Sequence, residues 1–282
     1  MEENMSVEVK IKQKLFSKKI DTADVVEASG ILFGIHDENF VILPGEVGKD
    51  LVLFYEDRVA RGIGTEVKVH NLNFTLNLPT TVEEIIDFYD LIDLACKLAK
   101  VNTYIKDGVT VNVNDREKLI KETIEGSLAG LQSIKESVEK NHDAVFIFGA
   151  FNPIAIGQKE LEEIDGKLEN FSNLLQRLQT MKAYYSQKII YQIDNKYVGV
   201  YTTPPSMSVV VPLEPYALMC DVEISEWYVR FSKEGIIKYD DFINNIGEKE
   251  YYDAKHVIVK VTQEKADELL EKYKVDLFKK DK

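Results

Sequence analysis

The residues with the clearest chemical potential lie in one short stretch, Gly149-Ala150-Phe151-Asn152-Pro153-Ile154-Ala155-Ile156-Gly157-Gln158. A strand running into a glycine and proline corner and then a helix would turn helix amides toward an anion, so Gly149 to Gly157 is the candidate site for a nucleotide or phosphate ligand. Two His-Asp pairs, His36-Asp37 and His142-Asp143, supply metal-binding residue types. The four histidines, at 36, 70, 142 and 256, show none of the HxH, HxxxH or HExxH spacings of a zinc site, and scattered histidines of this kind are expected at surfaces or element ends. There is no GxSxG, no Walker-type glycine loop and no CxxC. Arg61-Gly62-Ile63-Gly64 reads as a turn between strands, Cys96 and Cys220 as isolated buried thiols, and Asp90/Asp93 and Asp240-Asp241 as solvated helix faces or a cap. Trp227-Tyr228 and Tyr184-Tyr185 read as core or interface aromatics. No catalytic or cofactor-binding residue can be assigned, and neither a metal nor a cofactor is expected.

The elements that must position these residues follow from periodicity. Ahead of the corner, Asp143 to Gly149 carries an unbroken apolar run that reads as a buried strand. Behind it, Leu161, Ile164, Leu168, Phe171, Leu175 and Leu178 recur in steps of three and four, which predicts one long helix with a single apolar face. That face is expected to pack on a sheet, with homodimerisation through it as the alternative. Val7, Val9 and Ile11 alternate with polar residues as a strand, and short strand-like runs punctuated by turn residues continue to Leu78, ending with Glu66 to His70 and Phe74 to Leu78. From Pro79 the pattern changes. Thr80/Glu83 and Thr81/Glu84 are overlapping capping boxes for a helix carrying Ile85, Tyr89, Ile92 and Cys96, and Asn114/Glu117 caps a second carrying Ile120, Ile124, Leu128, Leu131, Ile134 and Val138. Gly126 and Gly130 inside the second helix predict close packing against a neighbour. Asp107-Gly108 and Asp194-Asn195 predict tight hairpins, and a helix at Tyr239 to Asn245, a strand from His256 and a helix capped by Thr262 close the chain, with a frayed tail at 278–282.

The expected fold class is α+β, with mixed, mainly antiparallel sheets and three long helices packed on them. The division is a β-rich region over 1–79 and an α+β main region over 80–282, or one continuous domain. The chain has 282 residues, 45% hydrophobic and 29% charged, in the range of ordinary globular proteins. Its 48 acids against 35 bases, a net charge of -13, speak against a nucleic-acid surface, which needs clustered Lys and Arg. No apolar run approaches the roughly 20 residues of a membrane span, and the N-terminus is acidic, so a cytoplasmic location without membrane contact is expected.

Two resemblances add to this. Gly149, Phe151, Pro153 and Gly157 match G-x-F-D-P-x-H-x-G-H, so the stretch resembles the phosphate-binding motif of nucleotidyltransferases that make dinucleotides and activated alcohols. Asn152 stands in place of its acid, and Ala155 and Gln158 occupy the two histidine positions. What the resemblance implies is a nucleotide corner lacking the groups that stabilise charge at the α-phosphate. Through Ala60-Arg61-Gly62-Ile63, Leu76 to Thr81, Phe148 to Ile154 and Val210 to Pro215, the whole chain resembles an uncharacterised domain-of-unknown-function family of low-GC Gram-positive bacteria. That resemblance implies a bacterial cytosolic protein and supplies no reaction or ligand. The function expected is therefore a non-enzymatic protein-interaction or regulatory, immunity-type factor with a protein partner, the alternative being a nucleotide- or phosphate-ligand-binding protein or enzyme using the Gly149 to Gly157 corner.

Overall fold

The alternation at Val7, Val9 and Ile11 produces β1 (Ser6–Lys12), with those three side chains buried, in a computed structural model that describes residues 6–13, 19–47, 50–68, 71–232 and 235–277. His70, the opening residues 1–4 and the tail at 278–282 lie outside the described residues. The chain forms two compact units, Met1–Thr180 and Met181–Lys282. Among the described residues no helix is long and apolar enough to cross a membrane.

In the first unit, α1 (Thr22–Ser29) starts at a capping box built by Asp21 and Asp24 and stops at Gly30, where φ is 70°. The strands β2 (Leu32–His36), β3 (Ile42–Pro44), β4 (Leu51–Phe54), β5 (Ile63–Lys68) and β6 (Asn71–Asn77) follow. Then come α2 (Val82–Ala99) and the hairpin of β7 (Thr103–Lys106) and β8 (Val109–Asn112), turned by Asp107 and Gly108, both at positive φ. The eight strands form one antiparallel sheet in the order β3-β2-β4-β5-β6-β1-β7-β8. Ile85, Phe88, Tyr89 and Ile92 of α2 share one core with Val9, Ile11, Leu72 and Phe74 of the sheet. Residues on both sides of Pro79 thus contribute to this core.

Helix α3 (Arg116–Asn141) begins two residues beyond the expected Asn114 cap. A 3-10 turn over Val113–Asp115 comes first, because Asn112 accepts from the Asn114 amide while Asp115 accepts from the Asn112 amide, and these bonds close the chain before α3 starts. Gly126 and Gly130 do mark a close approach: they lie against Leu78 and Pro79, and between them the Ser127 hydroxyl bonds both the carbonyl and the amide of Thr80 at 2.6 Å. After β9 (Val145–Phe148) and β10 (Pro153–Ile156), the single long helix expected over 161–178 proves to be two, α4 (Gln158–Ile164) and α5 (Leu168–Gln179). Asp165 and Gly166, at φ 48° and 66°, end α4 through an Asp165 amide to Leu161 carbonyl bond of 3.0 Å. The three-and-four spacing survives because Leu168 restarts the same face. Of its residues, Ile164, Leu168, Phe171, Leu175 and Leu178 are buried and Leu161 is half-buried. Seven α-helices are present among the described residues, and two of the three expected long ones persist intact.

The second unit holds β11 (Tyr184–Tyr185), β12 (Lys188–Ile193), β13 (Lys196–Thr202), β14 (Ser208–Pro212), β15 (Ile224–Ser232), β16 (Gly235–Lys238), α6 (Tyr239–Asn245), β17 (Glu250–Asp253), β18 (His256–Lys260) and α7 (Gln263–Tyr273). Asp194 and Asn195, both at positive φ, turn β12 into β13. Two four-stranded sheets result, β11-β14-β18-β17 and β12-β13-β15-β16, antiparallel except for the β11/β14 and β13/β15 pairs. Val209, Val211 and Val259 of one, Val229 and Ile237 of the other, Phe242 of α6 and Leu269 of α7 meet in one core. The α+β class with mainly antiparallel sheets stands.

Candidate functional site

The stretch read as a phosphate corner folds as a hairpin. β9 pairs antiparallel with β10, Phe148 opposite Pro153 and Val145 opposite Ile156, so 149–152 is a turn between strands and β10 separates it from α4. Gln179, at the end of α5, fills the inside of the turn. Its Oε1 accepts from the Phe151 amide at 2.9 Å and its Nε2 donates to the Ala60 carbonyl at 2.7 Å. Only glycine fits at 149, since a Cβ there would collide with that amide group. Asn152, Ala155 and Gly157 are buried, and the Gly157 amide donates to the Glu160 carboxylate at 3.0 Å, which puts a negative charge where a phosphate would have to sit. Gln158 is exposed and donates to Glu162.

A buried ionic hub lies beside this hairpin. Glu84, in the first turn of α2, accepts from the Arg61 amide at 3.1 Å, the Gly62 amide at 2.6 Å and the Thr80 hydroxyl. The Arg61 guanidinium, 7% exposed, donates to the carbonyls of Phe148 and Pro79. Burial pushes the Glu84 carboxyl above its ordinary range, with its three donors pulling the other way, and burial brings the Arg61 guanidinium down to about 10 against the opposing charge of Glu84. Every oxygen and nitrogen named here is spent tying the Arg61-Gly62 segment before β5, the Pro79-Thr80 segment, α2 and the end of β9 together.

The His-Asp pairs do not converge. His36 Nε2 bonds the Ala150 carbonyl at 2.9 Å, while Asp37 closes its own turn by accepting from the Asn39 and Val41 amides. His142 caps the C-terminus of α3 at φ 53°, and Asp143 accepts from the next amide. Among the described residues no group of three or more His, Cys, Asp and Glu is placed to hold a metal ion.

His256 stands at a strand end, as expected of a scattered histidine, and is only 1% exposed. Asp253 Oδ1 accepts from the amides of Lys255 and His256 and from His256 Nδ1 at 2.7 Å, so Nδ1 carries the proton. In the neutral ring Nε2 then offers one lone pair to two phenols, Tyr216 at 2.6 Å and Tyr185 at 3.0 Å, whose oxygens are 3.2 Å apart. An Asp-His-Tyr chain resembles the layout of an activated nucleophile. Here burial raises the pKa of both phenols, Tyr185 also through the charges of Tyr216 and Asp253, which is the opposite of what a reactive phenolate requires. The Asp253 bonds are those of the two-residue turn joining β17 to β18, and Lys188 lies over the Tyr216 ring at 5.6 Å. The network stitches that turn to β11 and to the segment carrying Tyr216.

A different surface is open. Between α3 and α4 runs a groove of about 460 Å³. Leu128 and Leu131 of α3 and Leu161 and Ile164 of α4 form its floor, and Leu128 is 43% exposed. Gln132, Lys135, Glu139, Gln158, Glu162 and Asp165 form its rim. The groove exists because the α4–α5 break at Asp165-Gly166 stops α4 after seven residues beside the middle of the 26-residue α3.

A family model described as Domain of unknown function (DUF4299) matches residues 6–269. The chain belongs to this family. No curated protein and no solved structure matches the chain. The match spans both compact units of this DUF4299 chain, so the family unit includes the hub, the His256 network and the groove together. It also agrees with the family resemblance carried by the segments from Ala60 to Pro215.

Two groups of residues leave little trace in the sequence. Asp253, His256, Tyr185 and Tyr216 meet only after β18 has been laid beside β14; the Asp-x-x-His spacing at a two-residue turn is their one local signal. Leu128 and Leu161 read as members of buried helical faces. That Leu128 is left open depends on where α4 ends.

Proposed function

We propose that this DUF4299 chain is a non-enzymatic, regulatory or immunity-type factor that binds a protein partner through the groove between α3 and α4. What carries the reading is the half-exposed Leu128 beside the partly buried Leu161 and the buried Leu131 and Ile164, with a charged rim, an arrangement suited to receiving apolar side chains of another chain. The acid, base and hydroxyl clusters elsewhere support it, since the hub at Glu84 and the network at His256 are engaged in holding strands and turns. So does the corner from Gly149 to Gly157, whose amides already have carboxylate and carboxamide acceptors.

A photo-crosslinking residue at position 128 of the full chain, expressed in the native host, would identify the partner. Binding of the purified partner would then be measured by titration calorimetry. Leu128→Glu should weaken that complex at least about tenfold, the scale of one lost apolar anchor plus a buried charge. A partner bound equally by both proteins would sink the groove reading.

A further inference from the structure

We infer that the segment seated in the α3/α4 groove is a basic amphipathic helix of the partner; this rests on the protein-interaction reading above and names its chemistry. Three observations converge on that occupant. The α3 wall presents Leu128, Leu131, Gln132, Lys135 and Glu139, spaced by one, three or four residues along one face. From 128 to 139 this wall is about 16 Å long, or three turns, the length over which a docked helix sets anchors at i, i+3 or i+4, and i+7. The floor is apolar and open to solvent at Leu128, so it accepts a row of side chains from above and does not enclose a small molecule, which a ligand pocket would bury almost completely.

Charge selects among helices. Lys135 shares the groove lining with three carboxylates, Glu139, Glu162 and Asp165. Lys135 approaches Glu139 at 3.9 Å, and Lys167 pairs with Asp165 just outside the groove at 2.5 Å. The acid still exceeds the base when Lys167 is counted. A partner helix with Lys or Arg flanking its apolar stripe therefore meets complementary charge. A second copy of this chain, with its net charge of -13, meets repulsion.

The test uses the full chain and three labelled synthetic peptides of about 14 residues, ~20 Å as helix. One is amphipathic with a Lys/Arg polar face, one has the same apolar stripe with a Glu polar face, and one is the basic composition scrambled to destroy the stripe. Binding is read by fluorescence anisotropy at low and moderate salt, with Leu128→Glu and the double variant Glu139→Lys/Glu162→Lys as controls. All three substituted residues have exposed side chains, and circular dichroism confirms the fold of each variant.

The basic amphipath should bind about tenfold or more tightly than either other peptide, through a few rim pairs that weaken with salt. Leu128→Glu should reduce its affinity about tenfold, and the double variant should transfer the preference to the acidic peptide. Equal binding of the scrambled basic peptide, indifference to Leu128→Glu, or absence of binding by any peptide overturns the inference. Preference for the acidic amphipath, lost in Leu128→Glu, overturns the basic occupant and leaves the interaction reading standing. Indifference of the reconstituted partner to groove substitutions overturns both.

Discussion

Glu84 offers two carboxylate oxygens to three donors, the amides of Arg61 and Gly62 and the hydroxyl of Thr80, in a site where Glu84 is 5% exposed. A carboxylate suits this set because it only accepts. In Glu84→Gln one oxygen becomes an NH2, and whichever way the amide turns it faces at least one backbone N–H. The Thr80 hydroxyl can rotate to accept, but the Arg61 and Gly62 amides cannot. Leaving one buried amide unpaired costs about 1–3 kcal/mol. A lowering of Tm by several degrees on thermal unfolding is expected for a unit of this size. An unchanged Tm would mean that the hub does not need the ionised acid. The capping pattern at Thr81 and Glu84 is visible in the sequence, and Thr81 does accept from the Glu84 amide. That the Glu84 side chain turns away to the Arg61 and Gly62 amides ahead of β5 is a tertiary choice. The sequence holds no cue for it, because Arg61 and Gly62 are more than twenty positions away.

At the level of elements, α3 carries a discriminating pair of glycines. A Cβ at Gly126 would lie 3.3 Å from the Leu78 Cδ1, the free end of a flexible side chain, whereas at Gly130 it would lie 3.0 Å from the Pro79 Cδ and 3.1 Å from its backbone nitrogen. Alanine gains up to about 1 kcal/mol over glycine within a helix. Gly126→Ala should keep most of that gain. Gly130→Ala should lose it to overpacking of about 1–3 kcal/mol against a rigid ring. Denaturant midpoints of the two variants, moving in opposite directions from wild type, check the argument, and a stabilising Gly130→Ala would refute it. Elements of this kind were legible wherever residue type restricts backbone angle: Asp107-Gly108, Asp194-Asn195 and Gly30 all take the positive φ that their chemistry permits. Legibility failed where two structures share a pattern. Pro153–Ile156 is a four-residue apolar run buried throughout, which has no period to tell a strand from a corner, and a three-and-four spacing passes unchanged across the Asp165-Gly166 break. The groove failed for the same reason, since it is made by that break.

Across the whole molecule, tyrosine burial couples stability to alkali. Tyr89 and Tyr104 in the first unit and Tyr185, Tyr201, Tyr216 and Tyr239 in the second all have phenol pKa values raised above the ordinary 10, burial being the first cause in each, with Tyr89 pushed up to about 12. A group whose folded pKa lies above its unfolded one contributes stability that is fully present below the unfolded value and is lost as pH rises through the folded value. The window here opens at pH 10 and extends to about 12 and beyond. Within it each buried phenol tilts the balance toward unfolding by up to about 1.4 kcal/mol per pH unit, because the unfolded chain releases a proton that the native one keeps. Several such groups acting together exhaust a stability of about 5–15 kcal/mol before any of them ionises in place. As alkali is added, the buried phenols should therefore ionise in a steep step in tyrosinate absorbance that coincides with loss of the far-ultraviolet circular dichroism signal. Smooth ionisation of all the tyrosines near pH 10 with the fold intact would show that water reaches Tyr185 and Tyr216. The Asp253-His256 pair would then face an accessible phenol, and a catalytic role for that network would have to be reopened.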